Sequence, residues 1–217
     1  MRLTKGADVY SSTGEKLGAV DRVIIDPNTK EVTHLVISKG FLFTTNKIIG
    51  IDMVNPADDD RISLLSSGDD LDKFQDFTDS HYVNLEQTEN PTQDEIPTAT
   101  WYPPTEYAWW RSGPGMAYPP MPLFVRKMEQ NIPEGTVALE EGAKVTSRDG
   151  KHVGNVEEVY VDKEDNRATH ILVSAGMLFK EQKLLPVTWI SQIGEHEVIL
   201  SVDTDFLNRV PYHQPER

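Results

Sequence analysis

The chain contains no cysteine. Disulfides, thiolate metal sites, cysteine-held iron–sulfur clusters and cysteine nucleophiles are therefore excluded together. Long apolar runs are also missing. Val32–Ser38 and Phe41–Phe43 are far too short to span a bilayer. Basic residues are scarce, with 21 Lys+Arg against 35 Asp+Glu and a formal net charge of −14. Non-specific nucleic-acid binding needs a basic surface, so no nucleic-acid partner is expected. The opening residues, Met1-Arg2-Leu3-Thr4-Lys5-Gly6, lack the apolar core of a signal peptide. A cytoplasmic chain with no membrane span is the expectation. The catalytic signatures are missing as well: no G-x-S-x-G elbow, H-E-x-x-H pair, Walker loop or dinucleotide fingerprint occurs. No enzyme activity, cofactor or metal is expected.

What is present is a repeat. Shifting the sequence by 136 residues aligns 47 pairs from Gly6 and Gly142 without a gap, and 16 of them are identical. The identities include Gly14/Gly150, Gly18/Gly154, Asp26/Asp162, His34/His170, Gly40/Gly176, Phe43/Phe179 and Lys47/Lys183. A gapless match of this length indicates a duplicated domain, and two copies are too few for a solenoid.

Each copy reads as a small all-β unit. Ala7–Ser11 is a short strand, and Ser12-Thr13-Gly14-Glu15 is turn chemistry. Leu17–Asp26 alternates apolar and polar residues before Asp26-Pro27-Asn28, a second turn. Val32–Ser38 is rich in β-branched residues and predicts a mostly buried strand. Lys47–Ile51 and Arg61–Leu65 complete the copy, and the order recurs in the second. Short strands with regular turns predict two closed or nearly closed barrels. Asp69–Phe77 and Asp203–Val210 each predict a short helix behind an Asp N-cap. The expected division is 1–80 for the first barrel, 81–131 for a linker and 132–217 for the second barrel.

The linker has a different composition. Gln87–Pro122 holds eight of the 14 prolines and three of the four tryptophans. Proline at this density interrupts helices and strands, which predicts an extended, polyproline-like segment. Flexible spacers are normally polar, so its aromatics stand out. Trp101, Tyr102, Tyr107, Trp109 and Trp110 are the first interaction candidates, since Trp and Tyr anchor interfaces. Folding back to staple the barrels together is the intramolecular alternative.

Each copy resembles a PRC-barrel domain. The residues that carry the resemblance are Gly6–Tyr10, Gly14–Gly18, Val23–Pro27 and Thr33–Ile37, with Gly150–Gly154, Val159–Asp162 and Thr169–Val173 in the second copy. That barrel is shared by the cytoplasmic part of the photosynthetic reaction-centre H subunit and by the C-terminal domain of a ribosome-maturation factor. The resemblance implies an adaptor module that docks onto a larger protein. The leading expectation is a non-enzymatic scaffold acting through a protein partner. An H-subunit-like electron-transfer accessory and an RNA or ribosome-maturation factor are the alternatives. The barrels are expected to pack on each other or to homodimerise.

Four repeat-equivalent polar residues have two readings each. His34 and His170 suit a titrating or metal-binding pair, or strand histidines bonded to a neighbour. With no second ligand two residues away, the packed reading is preferred. Asp26 and Asp162 suit a cation site, or Asx turns that accept backbone N–H bonds, and the Pro27-Asn28 sequence favours the turn. Phe41, Phe43, Met177 and Phe179 follow the Gly break in both copies and serve either as lid residues or as a docking patch.

Overall fold

The computed structural model describes residues 1–39, 45–55, 61–65, 73–84, 124–175 and 181–213. Its strands, in chain order, are β1 (Arg2–Thr4), β2 (Asp8–Tyr10), β3 (Lys16–Ile25), β4 (Val32–Lys39), β5 (Thr45–Gly50), β6 (Ile62–Ser63), β7 (Thr78–Asn84) and β8 (Phe124–Gln130). The second copy supplies β9 (Val137–Glu140), β10 (Lys144–Thr146), β11 (His152–Val161), β12 (Ala168–Ala175), β13 (Glu181–Pro186), β14 (Ile190–Ile193) and β15 (Glu197–Leu200), followed by a one-turn helix, α1 (Thr204–Leu207). The fold is all-β, as the alternation and turn chemistry predict. Asp203 caps α1 by accepting the Phe206 N–H at 2.9 Å, which is the expected role of an N-cap aspartate. Leu207 is buried beneath it, whereas Phe206 is exposed and meets Trp189 edge-on at 5.1 Å. Of the first copy's predicted helix, residues 69–72 lie outside the described residues.

The first sheet runs β5-β4-β3-β2-β6, and the second runs β13-β12-β11-β10-β15-β14. The long strands β3 and β11 carry equivalent register shifts, at Val20/Arg22 and Val156/Glu158. Such bulges bend and twist a strand. Two glycine pairs explain their own recurrence. Gly14 and Gly150 hold φ of 85° and 78°, which a residue with a Cβ rarely adopts. At Gly18 and Gly154 a Cβ would run into the carbonyl oxygens of Ser38 and Ser174. Lys47 and Lys183 also act alike. Each ammonium donates to a carbonyl of the chain leaving its sheet, Phe74 at 3.0 Å and Leu207 at 2.6 Å.

Each sheet is completed by a strand from the other copy. The edge of β3 beyond β2 is filled by β9, pairing Val23 with Leu139. The matching edge of β11 is filled by β1, pairing Val159 with Leu3. The two registers are identical under the 136-residue shift. By sequence β9 lies within the second copy, yet it pairs into the first copy's sheet. Leu3 and Leu139 are 1% and 3% exposed, and both sit in one continuous cluster with Leu35, Val145, Leu185 and Leu200. The two copies thus share a core rather than owning one each. They form a single compact unit of Met1–Phe77 and Asn131–Arg217.

Thr78–Gln130 forms a second unit. Within it, β7 and β8 pair antiparallel from Thr78↔Gln130 to Asn84↔Phe124. The ends of the expected linker are therefore a hairpin. Residues 85–123 lie between its strands and outside the described residues.

Candidate functional site at the seam between the copies

The seam is organised around an approximate two-fold axis. Glu31 and Arg167, which are equivalent in the repeat, face each other in an antiparallel bridge. The flanking bonds are reciprocal. Val32 N–H donates to the Asn166 carbonyl at 2.9 Å, and Ala168 N–H donates to the Lys30 carbonyl at 2.9 Å. Glu31 and Arg167 therefore form a non-hydrogen-bonded pair, the kind in which side chains approach most closely. Lys30 and Asn166, with φ of 64° and 57°, turn the chain into this contact.

Away from the axis the two ends of the seam differ in chemistry. On the β9 side Arg22 lies directly opposite Glu140. Its guanidinium bonds Glu195, lies 4.0 Å from Glu140 and 3.5 Å from Asp21, and stacks 5.6 Å above the Phe77 ring. The Arg22 side chain is only 19% exposed, so these charges act in a partly dry setting. Lys5 adds a contact to Glu140 at 3.5 Å, and its backbone N–H donates to Glu141 at 2.5 Å. His196 Nδ1 lies 3.0 Å from Glu140. Burial raises the Glu140 carboxyl pKa, but the charges of Arg22 and Lys5 and bonds from Lys5 and His196 outweigh it and hold the group below its ordinary range. On the β1 side the residue opposite Thr4 is Glu158. Burial, followed by the bond and charge of Glu158, holds the Tyr160 hydroxyl above its ordinary range.

Sequence reasoning missed this cluster. Its members come from five separate stretches, and single carboxylates carry no signal in so acidic a chain. The one visible cue was that Leu3 and Leu139 extend the repeat upstream of Gly6 and Gly142.

The structure places the residues singled out from sequence elsewhere. Asp26 accepts the Asn28 and Thr29 N–H groups at 2.7 and 3.2 Å, and these bonds keep its carboxyl below the usual range. Asp162 accepts the Glu164 N–H at 2.8 Å. Both are Asx-type turns. His34 stands on β4 between Ile24 and Gly50. Burial lowers its pKa, with the nearby charge of Asp52 opposing. His170 stands at the matching place on β12, beside Tyr160 and Pro186. The two histidines lie in different sheets. Trp101, Tyr102, Tyr107, Trp109, Trp110, Phe41, Phe43, Met177 and Phe179 lie outside the described residues.

Among the described residues, no group of three or more His, Asp or Glu is placed to hold a metal ion. No described helix is long and apolar enough to cross a membrane. A cavity of about 180 Å³ in the second copy is lined by His152, Glu181, Lys183, Thr204 and Tyr212 among others. Its Lys183 is already committed to the Leu207 carbonyl and the Tyr212 ring.

Two small bent sheets of one pattern, repeated in one chain and completed by exchanged strands, define a duplicated β-barrel protein. The family model for the PRC-barrel domain matches residues 4–71 and again 141–207. Those two matches take in more than half of the chain, which belongs to the PRC-barrel family. No curated protein matches the sequence.

Proposed function

We propose that the chain is a non-enzymatic scaffold, in which two PRC-barrels fused into one body support recognition of a protein partner. The observation that carries this reading is the strand exchange across a shared core. It makes the two copies one rigid platform rather than two beads on a string, and rigid elements position binding surfaces better than mobile ones. The Pro- and Trp-rich stretch between Gln87 and Pro122 supports the same reading by composition, since Trp and Tyr dominate interface anchoring. In sequence it lies between β7 and β8, which pair as a hairpin.

The test is affinity capture of the tagged full chain from native lysate beside a Trp101→Ser/Trp109→Ser/Trp110→Ser variant. The expected result is a stoichiometric protein partner that resists nuclease treatment and is lost with the variant. Recovery of nucleic acid, released by salt, would contradict the scaffold reading and favour an RNA factor. Recovery of pigmented membrane would favour the electron-transfer accessory. Turnover of a substrate by the purified chain would also overturn it.

A further inference from the structure

The geometry points to a charge code at the seam that makes the two copies recognise each other and reject their own kind. The contact is nearly symmetric in backbone, so the fold by itself permits a first copy to pair with another first copy, or a second with a second. In every such pairing the strands would meet in the observed registers, Leu3 or Leu139 against Val23 or Val159. The side chains break the tie. Only the mixed pairing sets Glu31 against Arg167 on the axis. Two first copies would set Glu31 against Glu31, and two second copies would set Arg167 against Arg167. Off the axis, the mixed pairing sets Arg22 against Glu140 and leaves Glu158 against the neutral Thr4. Two second copies would set Glu158 against Glu140 at both ends of the seam. Two first copies would lose Glu140 and leave Arg22 against Thr4 at both ends.

Like charges directly opposite in a β-ladder destabilise it, and opposite charges stabilise it. The mixed pairing gains at two positions. The second-copy pairing is penalised at three. Specificity built from repulsion of wrong partners is a general device for near-symmetric interfaces. The surface buried at the seam is therefore an interaction surface whose partner is a barrel of the opposite charge pattern. That partner is supplied in cis here, and it would be supplied by a second copy of the chain if the connection between barrels were cut.

The test begins with the full chain carrying a protease site between Glu95 and Ile96. After cleavage the two halves are expected to remain one particle on size exclusion. Unfolding in urea and refolding should return the mixed pair in about tenfold or greater excess over same-copy pairs by native mass spectrometry. A Glu31→Gln/Arg167→Gln/Glu140→Thr variant should drift towards a statistical mixture. Separation of the cleaved halves, or a statistical mixture from the wild-type chain, would overturn the inference. The uncut chain provides a second arm that needs no refolding of halves. Glu31→Arg and Arg167→Glu should each raise the unfolding equilibrium constant about two- to fivefold, and the double variant should reverse most of that rise. Simple addition of the two losses would overturn the charge code.

Discussion

The two ends of the seam share a backbone and differ in chemistry. At one end β9 lies on β3 with Arg22 inside a net of carboxylates. At the other, β1 lies on β11 with Glu158 facing Thr4. The backbone geometry of the exchange is thus the same whichever charges surround it. It rests on features common to both ends, namely Leu3 and Leu139 and the bulges of β3 and β11. The charges were free to diverge, and their divergence gives the two copies separate identities. Duplication kept the apolar geometry and changed the polar rim.

The largest effect expected is on the shared geometry. Leu3→Ala and Leu139→Ala each remove a side chain buried in the common core. Each should cost about 2–5 kcal/mol in urea unfolding, because the core closes only partly around the lost volume. Similar losses at both ends would support the symmetric account, and a loss at one end alone would break it. Arg22→Ala should come next, at about 2 kcal/mol, since it strips hydrogen-bonded charge partners from Glu195 in a partly buried setting. Glu158→Gln should cost much less in the same assay, and equal effects would erase the contrast between the ends.

The acid side gives a smaller prediction. Glu140 is held below its ordinary value of 4.5 in the folded chain. The unfolded chain therefore binds a proton first as the pH falls. The contribution is fully present above about pH 4.5 and is lost as the pH falls through the folded value. Chemical denaturation across this range should show a shallower pH slope for Glu140→Thr than for wild type. The smallest effect belongs to His34, whose value lies below the ordinary 6.5 because burial disfavours its charge. Here too the unfolded state protonates first, so stability declines as the pH falls from about 6.5 towards the folded value. His34→Asn should flatten that decline. Unchanged slopes would remove His34 from the account.

Much of the fold could be read from sequence because its signals are local. Alternation placed β3, β-branched residues placed β4, Asp-Pro-Asn marked the turn between them, and the same order of signals recurs in the second copy. The Asx turns at Asp26 and Asp162 were legible for the same reason, as their partners lie two or three residues away. Strand exchange was not legible. A three-residue strand such as Arg2-Leu3-Thr4 shows the same apolar centre whether it joins its own sheet or the next one. Pairing partners 156 residues apart in sequence, Leu3 and Val159, leave no local trace. The hairpin of β7 and β8 escaped for a related reason. Thr78-Asp79-Ser80-His81 lacks the apolar alternation of a core strand, and its partner lies beyond the Pro-rich stretch. The Arg22 cluster depends on Glu195, brought near only by the completed fold.

Hydrogen exchange across a urea series, read by mass spectrometry on the wild-type chain and on Leu139→Ala, tests the shared core most directly. One unit completed by exchanged strands predicts that peptides from β3–β4 and β11–β12 lose protection at the same urea concentration. It also predicts that Leu139→Ala moves both sets together to lower urea. Two separate transitions, or a shift confined to one copy, would contradict it.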